Sequence, residues 1–195
     1  MIGQINLGTP AGECMKDLAS KSDVKTIVEI GTWNGAGSTR CIHAGMSDTD
    51  VLYSLECNKR MYDSAQPLWQ DKSNVHLLHG RVIEEQDMDD VSLSNEEAQW
   101  YSSDIAAMRG CPNVIDRLPK QIDLLVLDGG EFSTLAEFNI LADRCTYIFL
   151  DDTVCRKNRE VRRILMESTD FETLEDSPND RNGWSVFRRR PDTDQ

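Results

Sequence analysis

Five short apolar runs alternate with helical stretches along this chain, and that alternation limits what it can fold into. The runs are Lys25–Ile30, Val51–Glu56, Val75–His79, Ile122–Asp128 and Thr146–Asp151. Each is apolar enough to suit a parallel strand buried on both faces. The segments between them read as helices at about 37–47, 59–71, 95–109, 132–142 and 156–168. Strand, helix, strand in succession predicts an α/β domain with a parallel sheet. The C-terminal end breaks the rule. Phe171–Glu175 and Gly183–Arg188 read as two strands joined by a link holding Pro178 and Asn-Asp residues. So short a link pairs them antiparallel.

A chain of 195 residues is most simply one domain, spanning 1–195. Residues 84–119 are longer than a crossover needs and hold an acidic run, Glu84, Glu85, Asp87, Asp89 and Asp90. We expect an insertion there, serving as a lid over the site, as a contact in a homo-oligomer, or as a solvated acidic loop. No run of about 18 apolar residues is present, so no membrane span is expected. The N-terminus lacks the basic-then-apolar pattern of a secretory leader, which makes a cytoplasmic protein the expectation. Six cysteines, at 14, 41, 57, 111, 145 and 155, form no C-x-x-C pair and read as reduced thiols.

The formal charge of −13 repels polyphosphate, so nucleic acid is not expected as a partner. Basic residues gather at Arg156, Lys157, Arg159, Arg162 and Arg163, and again at Arg188-Arg189-Arg190. They read as a solvated helix face and a charged edge strand, or as a local patch for an anionic group.

The first apolar run leads into Glu29-Ile30-Gly31-Thr32-Trp33-Asn34-Gly35-Ala36-Gly37-Ser38-Thr39. A strand, a glycine-rich turn and a helix start form a seat for a nucleotide-like ligand, because glycine lets the backbone come close. The dinucleotide fingerprint is G-x-G-x-x-G. Here the glycines fall as G-x-x-x-G-x-G after E-x, which disfavours a nicotinamide-dependent oxidoreductase on a similar fold. Ligands of open α/β sheets bind beyond the carboxyl ends of the strands. Acidic residues stand at or near that end in four of five runs: Glu29, Glu56, Asp128 and Asp151-Asp152. Carboxylates are disfavoured beside an apolar core unless paired or solvated, so this pattern marks a site. Glu56, about twenty residues after Gly35, can accept hydrogen bonds from both hydroxyls of a ribose.

The E-x-G-x-x-x-G turn, with the strand plan, resembles class I S-adenosylmethionine (SAM) dependent methyltransferases over roughly residues 12–190. The resemblance implies a three-layer, Rossmann-like fold with a mostly parallel seven-stranded sheet and a C-terminal antiparallel hairpin. It implies that Gly31, Thr32, Trp33, Gly35 and Ser38 cradle the amino-acid end of SAM, with Glu29 near the cationic cofactor. Gly80, Arg81 and Val82 stand where that family contacts adenine. Leu127-Asp128-Gly129-Gly130-Glu131 and Phe149-Leu150-Asp151-Asp152-Thr153 are similar to the metal-dependent small-molecule O-methyltransferases, catechol and sugar-modifying. That likeness implies Mg²⁺ on Asp128, Asp151 and Asp152, with Asp128 also touching the cofactor. The alternative is that Asp128 only touches the cofactor amine while Asp151-Asp152 cap the next helix.

Two departures stand out. The catechol group places a lysine base three residues after its first metal Asp, where this chain has Glu131. The sugar group favours an acidic base two residues after it, where this chain has Gly130. Glu131 is the candidate base, with His43 and His79 as alternatives. The N-P-P-Y signature of base-modifying methyltransferases is absent. The expected activity is Mg²⁺-assisted O-methylation of a small, sugar-like acceptor. A catalytically silent SAM-binding module is the non-enzymatic alternative.

Overall fold

The computed structural model describes residues 5–88 and 93–191. Asp89 and Asp90 of the acidic run lie outside the described residues, as does the start of the N-terminus. The apolar runs become β1 (Thr26–Ile30), β2 (Val51–Glu56), β3 (Val75–His79), β4 (Ile122–Leu127) and β5 (Cys145–Asp151). The two C-terminal runs become β6 (Phe171–Ser177) and β7 (Trp184–Arg189). All seven share one sheet in the order β3-β2-β1-β4-β5-β7-β6. The first five are parallel, and β7 runs antiparallel between β5 and β6. The sheet is thus the expected one, and the hairpin closes it with its last strand inserted inward.

The helices are α1 (Pro10–Ala19), α2 (Ser38–Gly45), α3 (Lys59–Trp69), α4 (Asn95–Arg109), α5 (Thr134–Leu141) and α6 (Arg156–Glu167). The strand-centred reading placed five of these and passed over α1. Its signals are nonetheless local. Thr9 caps the first turn through Gly12 N, Pro10 stands at the helix start, and Met15, Leu18 and Ala19 form the buried stripe.

Alternate strand residues feed two cores, which makes the domain three layers. Ile27, Leu52, Leu124, Val126 and Phe149 pack with Met15, Leu18, Ile42 and Trp69 under α1–α3. Val28, Ile30, Leu125, Leu127, Ile148 and Leu150 pack with Met108, Phe138, Leu141 and Leu165 under α4–α6. Strands covered on both faces cannot carry polar residues midway without a partner, which leaves their carboxyl ends as the place for chemistry.

Segment 84–119 is the connection from β3 to β4, with α4 as its helix. Arg81 holds its start: the guanidinium bonds Met108 O and Ile83 O and pairs with Glu84 at 2.7 Å. Glu97 on α4 pairs with Arg156 on α6 at 2.8 Å, and Tyr101 meets Phe132 edge to face. These contacts lay α4 along the carboxyl edge of the sheet.

Candidate active site

The strand order reverses between β1 and β4, the chain leaving β1 toward β2 and β4 toward β5. A cavity of about 240 Å³ opens at that point. Three of its walls come from the strand ends and the turns after them: Ile30, Gly31 and Trp33; Leu55, Glu56 and Asn58; Asp128, Gly129 and Gly130. The fourth is Gly80–Ile83 with Ser103, Asp104, Ala107 and Met108 of α4. Of the residues singled out from sequence, Gly31, Trp33, Glu56, Gly80, Arg81, Val82 and Asp128 meet around this space.

The first turn is built by close backbone approach. Gly31 has φ +100°, and its N–H bonds Leu55 O at 2.9 Å. A Cβ on Gly31 would stand 2.2 Å from the Asp128 carbonyl oxygen, so only glycine lets β1 and β4 end this near each other. Trp33 holds φ +52°, a left-handed backbone that a bulky residue rarely adopts, and the residue is 46% exposed at the cavity. Glu56 pins that conformation. Its Oε2 accepts the Trp33 N–H at 2.7 Å, and its Oε1 accepts the Asn58 N–H at 2.7 Å. These fixed donors orient the carboxylate, which lines the cavity. Burial pushes Glu56 up to about 7 against the pull of those N–H groups.

Glu29, Thr32, Gly35 and Ser38 do not line the cavity; they support the turn that does. Glu29 is fully buried beneath it and accepts from Thr39 Oγ1 at 2.8 Å and from Ser54 Oγ. Burial raises it to about 7, while the hydroxyls of Ser38, Ser54 and Thr39 draw it back. Thr32 Oγ1 meets Ser54 Oγ at 2.5 Å. Gly35 is needed for packing: its carbonyl accepts Trp69 Nε1 at 3.0 Å, and a Cβ would come within 2.4 Å of that nitrogen.

Glu137 of α5 was not singled out from sequence. It is 6% exposed, lines the cavity, and its Oε2 has no hydrogen-bond partner among the described residues. Burial raises it to about 7, and Asp104 above it rises to about 6. An unpartnered buried oxygen and a polar wall on an otherwise apolar cavity suit a ligand with both apolar plates and N–H or O–H donors. An adenosyl group fits that description.

Glu131 follows Gly130 and is half-buried, outside the cavity lining. His79 bonds Cys57 O at 3.2 Å and packs tilted against Tyr62, while His43 packs tilted against Trp69. Neither lines the cavity.

Asp128, Asp151 and Asp152 do converge, with one oxygen from each inside a 4.8 Å group. What stands among them is a lysine. Lys157 Nζ lies 2.8 Å from Asp128 Oδ1, 2.8 Å from Asp152 Oδ2 and 3.9 Å from Asp151 Oδ2. Arg181 contacts Asp151 and lies 3.5 Å from Asp152. Burial alone would push Lys157 down, but the three carboxylates outweigh it and hold its charge above the ordinary lysine range. Mg²⁺ takes carboxylate and water oxygens, and these carboxylates are already committed to two protein cations. The residues as arranged do not fit the expected Mg²⁺.

The lysine came from the basic cluster on α6, and the rest of that cluster is committed as well. Arg159 bonds Val154 O, Arg162 pairs with Asp176, and Arg163 with Glu160 and Glu167. Arg188 pairs with Glu172, while Arg189 and Arg190 bond backbone carbonyls. Each of these cations thus has a partner within the chain.

No protein-family model and no curated protein matches this sequence. Solved structures do match its fold. An O-methyltransferase from Bacillus cereus, bound to S-adenosylhomocysteine (SAH), superposes with a TM-score of 0.64 at 13% identity, over 97% of this chain and 84% of that one. An SAH-bound methyltransferase from Podospora anserina gives 0.63 at 18%, over 92% and 78%. An rRNA methylase from Streptococcus thermophilus gives 0.56 at 14%, over 91% and 95%. The chain has the Rossmann-like fold of the class I methyltransferases.

Proposed function

We propose that this chain is a SAM-dependent methyltransferase acting on a hydroxyl of a small, sugar-like acceptor. The observation that carries the reading is the joining of the E-x-G-x-x-x-G turn, whose spacing departs from the dinucleotide fingerprint, with Glu56. Glu56 is a carboxylate oriented by two backbone N–H groups, twenty-odd residues after a glycine turn, on the rim of a cavity at the switch point. Support comes also from the SAH bound by two of the matching structures.

When bound, SAM supplies an electrophilic methyl group on a sulfonium. The chain supplies position. Gly31 lets the turn lie flat against the ligand, and Glu56 takes the ribose hydroxyls. Ile30, Leu55, Val82 and Met108 furnish apolar walls for the adenine. Asp128 borders the amino-acid end. We place the acceptor hydroxyl on the Asp128–Glu131 side, where Glu131 would hold the hydroxyl and take its proton. The products are the methyl ether and SAH. The net charge of −13 favours a neutral or cationic acceptor over a nucleic acid.

Calorimetric titration with SAH tests the reading. The wild-type chain should bind it, and Glu56→Gln should weaken binding by about tenfold or more, the cost of a charge-assisted pair. Absence of SAH binding, or preferential binding of NAD, refutes it. Turnover of labelled SAM across a panel of sugars then identifies the acceptor. Glu131→Gln should lower kcat by about 10² or more while leaving SAH affinity unchanged.

A further inference from the structure

We propose that the Lys157 ammonium is the resident cation of this site, standing where a divalent ion would otherwise sit among Asp128, Asp151 and Asp152. The geometry is that of a filled site. Nζ is 2.8 Å from two of the carboxylates and 3.9 Å from the third, and the side chain is nearly buried. The other oxygens of Asp151 and Asp152 are also engaged. Asn182 Nδ2 bonds Asp152 Oδ1 at 3.0 Å, and Arg181 contacts Asp151 Oδ1. A metal bound to Asp128 Oδ1 and Asp152 Oδ2 would share both oxygens with an ammonium that it repels.

The placing of the lysine argues the same way. Lys157 is the second residue of α6, at the helix end whose partial charge is positive. A cation is disfavoured there unless a stronger negative field holds it. The neighbouring residue fixes its position: Asn158 Nδ2 bridges Leu127 O of β4 at 3.0 Å and Asp151 O of β5 at 2.6 Å. The pair thus ties both strand ends to α6, one residue through backbone carbonyls and the other through carboxylates.

A tethered ammonium differs from Mg²⁺ in what it can do. It carries one charge, does not leave with product, and has no open coordination positions for a substrate diol. Lys157 is accordingly a positioning residue that holds Asp128 at the cavity, and the acceptor is not held by chelation. The positioning of Asp128 rests on the methyltransferase reading; the occupancy of the cluster does not.

Manganese(II), a paramagnetic substitute for magnesium, tests this in the full chain. The free-ion signal is followed by electron paramagnetic resonance and the melting temperature in parallel. The wild type should take up no more ion than Asp152→Asn, and manganese should leave its Tm unchanged. Lys157→Ala should take up one ion and gain several degrees with it. A wild type that binds one ion, with affinity falling tenfold or more in Asp152→Asn, overturns the proposal. So does a folded Lys157→Ala that binds none. If Lys157→Ala does not fold, Lys157→Met decides when combined with Asp152→Asn. A counterion role requires the second change to recover Tm lost through the first, and no recovery overturns it. SAH titration of the same samples separates the two readings. A wild type that binds neither SAH nor manganese refutes the methyltransferase and leaves the lysine in its place.

Discussion

Gly31 and Asp128 meet backbone to backbone at the switch point of the sheet. A Cβ on Gly31 would stand 2.2 Å from the Asp128 carbonyl oxygen, while the peptide nitrogen of Asp128 bonds Ile30 O at 2.9 Å. The first glycine of the turn and the acidic end of β4 are therefore one structural unit, although 97 positions apart in number. Gly31→Ala must break this contact and also adopt φ +100°. We expect it to lose about 2–4 kcal/mol in urea unfolding and to abolish measurable SAH binding. A variant with wild-type stability would mean that the two strand ends are not held this close.

Trp33 makes the opposite prediction for stability. Its left-handed backbone favours glycine, and the residue is nearly half exposed. Trp33→Gly should leave the melting temperature unchanged or raise it by an amount worth about 1 kcal/mol. The same change should weaken SAH binding, because an aromatic wall of the cavity is gone. Loss of stability with intact affinity would make Trp33 a packing residue.

The buried acids set a pH dependence. Glu29 and Glu137 are each raised by burial from an ordinary 4.5 to about 7. A raised acid binds its proton more tightly in the folded state. Its contribution to stability is full below about 4.5 and is lost as pH rises through about 7. Each is worth on the order of 3 kcal/mol at most. Between pH 5 and 8 the ligand-free protein should therefore lose stability as pH rises, and Glu137→Gln should flatten that slope. A slope unchanged by the substitution would show that Glu137 does not titrate in this range.

Asn158 holds two strand ends with one amide. Asn158→Ala removes bonds to Leu127 O and Asp151 O and should cost about 2–4 kcal/mol. Asn158→Asp should cost more, since it sets a carboxylate against two carbonyl oxygens. If the aspartate variant unfolds at the same urea concentration as the alanine variant, the amide is not the clamp it is drawn as.

Much of the fold was legible because the information was local. The runs at 25–30, 122–128 and 146–151, rich in Val, Ile and Leu, read as strands covered on both faces, and such strands need helices between them. The link at 176–182 fixed the terminal hairpin. Helix α1 was equally local, through Thr9, Pro10 and the stripe at Met15 and Leu18, but it precedes the first strand and so lies outside an alternation counted from strands. Glu56 was found because its distance from the glycine turn is a property of one strand–helix–strand unit.

The sequence by itself determined the alternation of strands and helices, the terminal hairpin and the acidic strand ends, since each follows from a local pattern; the three layers and the seven-stranded sheet were what the family resemblance implied. Only the tertiary structure decided what those acids face. Glu29 points under the turn toward Thr39 and Ser54, and Asp128 points to a lysine from α6. In one dimension that lysine is one of five basic residues on a helix. The physical reason is that a charge finds its partner across space, where the packing of α6 on β4 and β5 brings an ammonium to three carboxylates, and helical spacing carries no record of that encounter.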